Sequence, residues 1–139
     1  MDIFMMNIND LKEHEEVEAK HLEKLKKLIR KDKVLKKPIV VDKNTSIIID
    51  GHTRFNSLKQ LGYSRVPVLL IDYTSPEILV RTWKNYRKIT KEDVIIAGLN
   101  GKKFSPKTSK HMVKIGNKIE HISILERRIN IPLEKLGGY

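Results

Sequence analysis

The stretch Ile47-Ile48-Ile49-Asp50-Gly51-His52-Thr53-Arg54 decides the fold, because it joins an apolar strand to a helix through one glycine. The isoleucines predict a buried strand, and the helix that follows is predicted over 53–61. A helix N-terminus carries unpaired N–H groups and a partial positive charge, so such a turn can hold a phosphate. A plain turn in which Asp50 caps the helix explains the same spacing equally well.

Each polar residue of this turn has a use in a phosphate site. Gly51 lets the backbone approach a phosphate closely, while His52 and Arg54 supply charged or hydrogen-bonding donors. Asp50 can bind Mg²⁺ or orient a hydroxyl group. The predicted nucleotide- and phosphate-binding residues are Gly51, His52, Thr53 and Arg54.

Short helices and short strands surround this turn on both sides. Apolar residues at helical spacing predict further helices over 18–31, from Thr90 to about residue 99, and over 124–136 with an interruption at Pro132. The predicted strands cover 3–6, 38–41, 46–49, 66–71, 78–83, 111–115 and 118–122. Because strands mix with helices rather than alternate with them, the predicted fold class is α+β.

The composition is that of a folded chain with a very polar surface. The 139 residues are 40% hydrophobic and 32% charged, which suits one domain or one domain with a small appendage. No apolar run approaches the roughly 18 residues of a membrane helix, and the first nine residues lack the basic start of a secretory signal. Without cysteine, thiolate metal sites and cysteine nucleophiles are excluded. We expect a soluble, cytoplasmic protein.

The net charge of +11 is unevenly distributed. Residues 20–43 hold ten Lys or Arg against three acids, and residues 102–118 hold six lysines and no acid. Such a balance favours anionic partners such as nucleic acid or nucleotide. The aromatic content of 6% is low for a nucleic-acid binder, and lysine-rich surfaces also occur in heat-adapted proteins. A solvated thermophilic surface and a functional anion field therefore remain equal alternatives.

Four segments together resemble the ParB/sulfiredoxin-like superfamily. They are the P-I-V-V strand at 38–41, the D-G-H-T-R loop at 50–54, the L-K-Q-L-G helix end at 58–62 and the V-P-V strand at 66–68. The resemblance implies a nucleotide-binding core over 1–75 with a small mixed sheet and helices packed on it. A short C-terminal α/β extension over 76–139 would bind substrate and phosphate, with both parts packed as one globular unit.

Within that superfamily, the sequence favours the archaeal free L-serine kinases. Sulfiredoxins need a cysteine in the loop, and this chain has none. Chromosome-partitioning ParB proteins continue into a helix-turn-helix domain, whereas the residues after Tyr73 are too few and too strand-rich. The segment 12–17, K-E-H-E-E-V, resembles the kinase stretch whose glutamate acts as base, and 104–111, F-S-P-K-T-S-K-H, resembles the stretch that meets the substrate phosphate.

The kinase resemblance implies a set of site residues. The base is Glu15, which directly follows His14, with Glu16 as the alternative, and Asp50 completes the catalytic pair and is the tentative Mg²⁺ ligand. The residues implied for substrate and phosphoserine are Trp83, Lys107, Thr108, Ser109, Lys110 and His111. Lys110 stands where arginine is usual, and lysine reaches a phosphate only as a point charge.

Plainer explanations exist for each of these residues. Acids ahead of the helix at 18–31 favour its dipole, a sole tryptophan is more often a core residue, and 107–111 could be a solvated loop. Five donors in one stretch without an acid nevertheless favour an anion site. His14, His21 and His121 do not share a metal-ligand spacing, so no zinc site is expected.

The resemblance implies a kinase that phosphorylates free L-serine to O-phospho-L-serine with ATP or ADP and Mg²⁺, feeding cysteine biosynthesis. Its partners would be L-serine and the nucleotide, with neither nucleic acid nor a membrane expected. The alternative is a non-enzymatic ParB-like nucleotide- or DNA-binding module that uses the basic helix at 20–33. The sequence leaves open the donor, a related amino alcohol as acceptor, and the oligomeric state.

Overall fold

A computed structural model describes residues 2–83 and 88–137, in which short helices and strands are mixed, as the α+β prediction requires. The helices are α1 (Ala19–Asp32), α2 (His52–Gln60) and α3 (Lys91–Asn100). The strands are β1 (Ile3–Asn7), β2 (Val34–Leu35), β3 (Ile39–Asp42), β4 (Ile48–Asp50), β5 (Arg65–Ile71), β6 (Ile78–Thr82), β7 (Ser109–Ile115), β8 (Lys118–His121) and β9 (Ile131–Pro132). Single 3-10 turns lie at Ile8–Asp10, Ile122–Leu125 and Leu133–Leu136. None of the helices in these two ranges is long and apolar enough to cross a membrane.

The central sheet is mixed and has the strand order β1-β5-β3-β4. Strands β3 and β5 are parallel, and the other two pairs are antiparallel, so β3 and β4 form a hairpin that turns around residues 42–45. Strand β3 is buried along its whole length because both of its faces are covered. Ile39 and Val41 belong to the core that includes Phe55 of α2, whereas Val40 faces the opposite core, as strand alternation requires.

The C-terminal part covers the second face of the central sheet. Strands β6, β7 and β8 form an antiparallel sheet in that order, and β7 and β8 meet at a tight turn. Val113 of β7 and Val94 of α3 join Val40 and Tyr73 in one buried cluster. The N-terminus of α3 is fixed by a capping box at Thr90. This packing brings the first residues of β7 to the end of β4.

The helix predicted over 124–136 is wrong. After the 3-10 turn at Ile122–Leu125 the chain is extended, and β9 pairs with β2 so that Ile131 lies opposite Leu35. Asn130 has a left-handed backbone (φ 46°), which an α-helix does not accommodate. Leu136 is fully buried in the core beside α2. Pairing with a distant strand therefore overrides the local apolar spacing.

Candidate active site

The turn between β4 and α2 has a backbone that only glycine fits. Gly51 has φ 103°, and a Cβ atom there would lie 2.6 Å from Cγ2 of Ile39. Gly51 is itself the N-cap residue, and no described side chain caps α2, so Asp50 is not the helix cap. The capping-turn alternative is therefore wrong, and the first N–H groups of α2 are left without helical partners. They provide the dipole and donors that an anion needs.

A cavity of about 240 Å³ lies in front of this turn. The described residues that line it are His14, Glu15, Ile49, Asp50, Gly51, His52, Thr53, Arg54, Trp83, Lys107, Ser109, His111 and His121. All the site residues predicted from the sequence are among them except Glu16, Thr108 and Lys110. Five separate parts of the chain therefore meet in one small polar space.

The Glu15 carboxylate is hydrogen-bonded to the first residue of β7. Its Oε1 atom accepts hydrogen bonds from the amide N–H and from the hydroxyl of Ser109, each at 2.8 Å. Burial raises the pKa of Glu15, and these bonds, with backbone bonds from Lys107 and Thr108, partly offset that rise. A carboxylate of raised pKa at the edge of a cavity has the properties of a general base.

Glu16, the alternative base, is exposed and does not line the cavity. Its backbone N–H bonds to the carbonyl of Phe104, which anchors this extended segment beside the loop before β7. Successive side chains of an extended segment point to opposite sides, so Glu15 faces the cavity and Glu16 faces away. The geometry therefore favours Glu15.

Two of the residues predicted to contact the substrate phosphate are placed elsewhere. The hydroxyl of Thr108 donates to the carbonyl of Ser105 at 2.7 Å, within its own turn. Lys110 lies in β7 between Ser109 and His111, and strand alternation turns its side chain away from theirs. Its Nζ atom lies 4.5 Å from the centre of the Trp83 ring. Direct phosphate contact by Thr108 and Lys110 is therefore not supported.

Lys107 and Trp83 do line the cavity. Lys107 is in the left-handed region (φ 59°), and its Nζ atom lies 3.6 Å from Glu18, in a partly exposed pair. The indole N–H of Trp83 donates to the carbonyl of Ser109 at 3.1 Å, and the side chain is 49% exposed. The tryptophan is therefore a rim residue rather than the core residue that the plainer explanation supposes.

Three buried histidines line the cavity together with Glu15. The ring of His14 is 4.5 Å from that of His52 and 5.6 Å from that of His111, measured between centroids. Burial lowers the pKa of His14 to about 4, and it holds the pKa values of His52 and His111 well below the usual value. All three rings are therefore neutral at pH 7.

His52 and His111 already have hydrogen-bond partners inside the protein. Nε2 of His52 accepts from the backbone N–H of His14 at 3.2 Å. Nε2 of His111 is 2.8 Å from the hydroxyl of Tyr73, and the ring also bonds to the backbone of Ile49. Of the charged or hydrogen-bonding donors expected at these two positions, charged imidazolium groups are not supported, because burial keeps the pKa of both rings well below the usual value.

Arg54 is held by a network that the sequence does not predict. Its Nη1 atom donates to the carbonyl of Pro38, and its Nη2 atom lies 2.7 Å from Glu126 and 3.5 Å from Asp50. Glu126 is 5% exposed, and its Oε2 atom has no partner among the described residues. Burial, with the neighbouring Asp50, raises the pKa of Glu126 to about 8. The guanidinium therefore positions Asp50 at the cavity edge.

Asp50 fits a role in holding Mg²⁺ together with phosphate oxygens. The described residues include no group of three or more side chains arranged as metal ligands. Mg²⁺, however, commonly binds one or two protein carboxylates and completes its shell with phosphate and water. The Asp50 carboxylate lines the cavity beside the N-terminus of α2, where phosphates are favoured.

Four residues of the site are missed by the sequence reasoning. Glu126 and Tyr73 have no local signal, because only the fold brings them to the site. His14 directly precedes Glu15, and His121 lies at the end of β8, where its Nδ1 atom is 3.1 Å from the N–H of Ser123. The position of His14 beside the predicted base is the one signal that could have been used.

The chain is similar in sequence to archaeal serine kinases and to a ParB-like protein. It is 32% identical to an ATP-dependent L-serine kinase of Staphylothermus marinus, over 70% of this chain and 44% of that protein. It is 30% identical to an ADP-dependent L-serine kinase of Thermococcus kodakarensis, over 60% and 36%. A ParB-like protein of Sulfolobus acidocaldarius is 38% identical over 52% and 36%. The chain spans less than half the length of these curated relatives. No protein-family model matches it.

The fold is that of the free serine kinases. A solved free serine kinase in complex with ADP superimposes with a TM-score of 0.83, at 18% identity, over 98% of this chain and 94% of that one. The α+β fold with a mixed-sheet core is therefore confirmed. The sequence similarities to L-serine kinases and to a ParB-like protein agree with the resemblance found in the sequence.

Proposed function

We propose that the protein is a small-molecule kinase that phosphorylates the hydroxyl of free L-serine to give O-phospho-L-serine. The observation that carries this proposal is the shared cavity, which is lined both by Glu15 and by the residues at the uncapped N-terminus of α2. A base and an anion site in one small space are the two parts that phosphoryl transfer to an alcohol requires. Relatives named as L-serine kinases support the choice of acceptor.

In this proposal the nucleotide phosphates bind at residues 51–54, on the backbone of α2. Glu15 accepts the proton of the serine hydroxyl as its oxygen attacks the terminal phosphorus, and the bond to the nucleotide oxygen breaks. Lys107, at the cavity edge, compensates charge on the transferred group. Asp50 would hold Mg²⁺, which neutralises phosphate charge. Positioning and charge compensation are the main contributions a protein makes to this chemistry.

The finer features stay predictions within the same proposal. Residues 1–75 would form the nucleotide-binding core, and residues 76–139 the portion that binds substrate. The donor is ATP or ADP, since one relative is named as dependent on each. The product would enter cysteine biosynthesis in the cytoplasm, and nucleic acid is not an expected partner.

The alternative is a ParB-like binding module. The similarity to a ParB-like protein is the observation that keeps this alternative open. The sequence match to that protein covers 73 residues, whereas the match to the Staphylothermus kinase covers 111. The longer match reaches beyond the length of the shared core, which favours the kinase.

The test is a matrix of phosphoryl donors against acceptors. ATP, ADP, CTP and pyrophosphate are each incubated with L-serine, L-threonine and L-homoserine plus Mg²⁺, and the phosphorylated product is read directly. We expect O-phospho-L-serine as the main product with ATP or ADP. Retention on DNA that falls steeply with salt, without any phosphorylated product, would support the binding module instead.

A further inference from the structure

The hydroxyl of Ser109 lies between two groups that both compete for its hydrogen. Its Oγ atom is 2.8 Å from Oε1 of Glu15 and 3.0 Å from Nε2 of His14. On the far side of the imidazole, Nδ1 of His14 is 2.8 Å from the carbonyl oxygen of Ile48. A carbonyl oxygen only accepts, so Nδ1 must carry a hydrogen, and Nε2 of the neutral ring is an acceptor.

The hydrogen-bonded row of Glu15, Ser109 and His14 lacks one hydrogen when Glu15 is ionised. The hydroxyl has one hydrogen and faces two acceptors, the carboxylate and Nε2 of His14. If the hydroxyl donates to Glu15, the buried nitrogen of His14 loses its partner, which is unfavourable. If Glu15 carries a proton, it can donate to Oγ while the hydroxyl donates to His14, and every atom has a partner.

We propose that the Ser109 hydroxyl is a rotating hydrogen-bond link between Glu15 and His14, through which His14 makes Glu15 a stronger proton acceptor. When Glu15 gains a proton, its O–H donates to Oγ and the hydroxyl turns to Nε2 of His14. No proton is transferred to the imidazole, so no charge develops there. His14 is thus a positioning residue for the base.

The link opposes the effect that the backbone N–H groups of the loop have on the Glu15 carboxylate. The N–H groups of residues 107–109 favour the charged carboxylate, and alone they would make it a weak base. An acceptor on the far side of the hydroxyl favours the neutral form instead. The link therefore acts in the same direction as burial, which is the main cause of the raised pKa of Glu15.

The other ionisable groups near Glu15 and His14 have partners of their own or are neutral. His14 packs against the rings of His52 and His111, both neutral, and against Phe104. Lys103 is paired with Glu13 at 3.1 Å. Near Glu15, the Lys107 ammonium lies beside Glu18. The inference deepens the proposed function, since it assigns the group that adjusts the proposed base.

Two variants of His14 distinguish the roles of its two ring nitrogens, Nδ1 and Nε2. In His14→Asn the amide nitrogen can occupy the place of Nδ1 and keep the bond to Ile48, while the acceptor toward Ser109 is lost. In His14→Gln the longer side chain can place its oxygen near Nε2 and keep that acceptor. NMR of protein labelled with ¹³C at the side-chain carboxyl of glutamate measures the Glu15 pKa in each protein without any assay of activity. The Glu15 resonance is assigned as the one that disappears in Glu15→Gln.

We expect His14→Asn to lower the Glu15 pKa by about one unit, the worth of one hydrogen bond to a charged group, and His14→Gln to leave it nearly unchanged. In a Ser109→Ala background, His14→Asn should have no effect on the Glu15 pKa, because the link is gone. An unchanged pKa in His14→Asn, or an equal shift with and without the Ser109 hydroxyl, would overturn the inference.

A second measurement uses the unaltered His14 ring. In the otherwise native protein the ¹⁵N resonance of Nε2 of His14 should follow the titration of Glu15, and in Ser109→Ala it should not. A resonance that ignores the Glu15 titration in the native protein contradicts the link. Both NMR measurements keep their meaning if serine is not the acceptor, so failure of the proposed function and failure of the link are distinguishable.

Discussion

Glu15 and Ser109 are joined by two hydrogen bonds of 2.8 Å, although 94 positions separate them in the sequence. The pair holds the acidic segment before α1 against the first residue of β7. Ser109 also accepts the indole hydrogen of Trp83 through its carbonyl oxygen. The Glu15 carboxylate therefore holds in place the side of the cavity that β7 forms, and it lines the same cavity as the phosphate turn.

Burial of neutral histidines predicts a loss of stability in acid. The pKa of His14 falls from its usual 6.5 to about 4 in the folded chain, so the unfolded chain binds more protons between these pH values. The stability that depends on neutral His14 is complete above about pH 6.5 and is lost as the pH drops toward 4, by about 3 kcal/mol. His52 and His111 act in the same direction. The raised pKa values of Glu15 and Glu126 act in the opposite direction, so the comparison is between variants rather than of the whole profile.

Urea unfolding between pH 4 and 7 measures this dependence. His14→Asn should have a shallower loss of unfolding free energy with acid than the native protein. His21→Asn is the matched control, because His21 is half exposed in α1, and it should keep the native slope. Identical slopes in all three proteins would show that His14 is not a buried neutral group.

Replacement of Gly51 by alanine tests the geometry of the phosphate turn. The new Cβ would collide with Ile39 and would require a left-handed backbone, so we expect a loss of about 2–4 kcal/mol in unfolding free energy. Gly101→Ala is the control, since Gly101 is also left-handed (φ 68°) but has open space around it. It should cost about 1–2 kcal/mol. Equal losses in the two variants would show that the close approach to Ile39 is unimportant.

Two lysines three residues apart, one inside the cavity lining and one outside it, test whether the product binds in the cavity. Lys107 lines the cavity and Lys110 does not, so Lys107→Ala should weaken phosphoserine binding by about tenfold and Lys110→Ala by much less. Nucleotide affinity should change little in either variant. Calorimetric titration of phosphoserine and of ADP into both proteins gives the comparison. A larger effect of Lys110 on phosphoserine would contradict the assignment.

The sequence predicts the local parts of the fold well. The turn at 47–54 is correct because a strand, a glycine and a helix start are determined by neighbouring residues. The helix over 124–136 fails because Ile131 pairs with Leu35 and Leu136 fills a core, neither of which is a local contact.

The sequence indicates which segments form the candidate site, but it does not predict which of their side chains line the cavity. The motifs identify Glu15 and the turn at 50–54, but side-chain direction depends on where a strand begins. The structure starts β7 at Ser109 rather than at His111, which places Ser109 and His111 on one face and Lys110 on the other. Glu126 is missed because a helix was expected there, and an acid on a solvated helix has no special role.

The most direct test of the kinase assignment compares product formation by the native protein with that by variants of the two neighbouring glutamates. L-serine, Mg²⁺ and ATP or ADP are incubated with the native protein, Glu15→Gln and Glu16→Gln, and O-phospho-L-serine is followed by ³¹P NMR. We expect product from the native protein and from Glu16→Gln, and a rate about 10²- to 10⁴-fold lower from Glu15→Gln with nucleotide binding retained. Native turnover in Glu15→Gln, or no phosphoserine from the native protein with either nucleotide, would contradict the assignment.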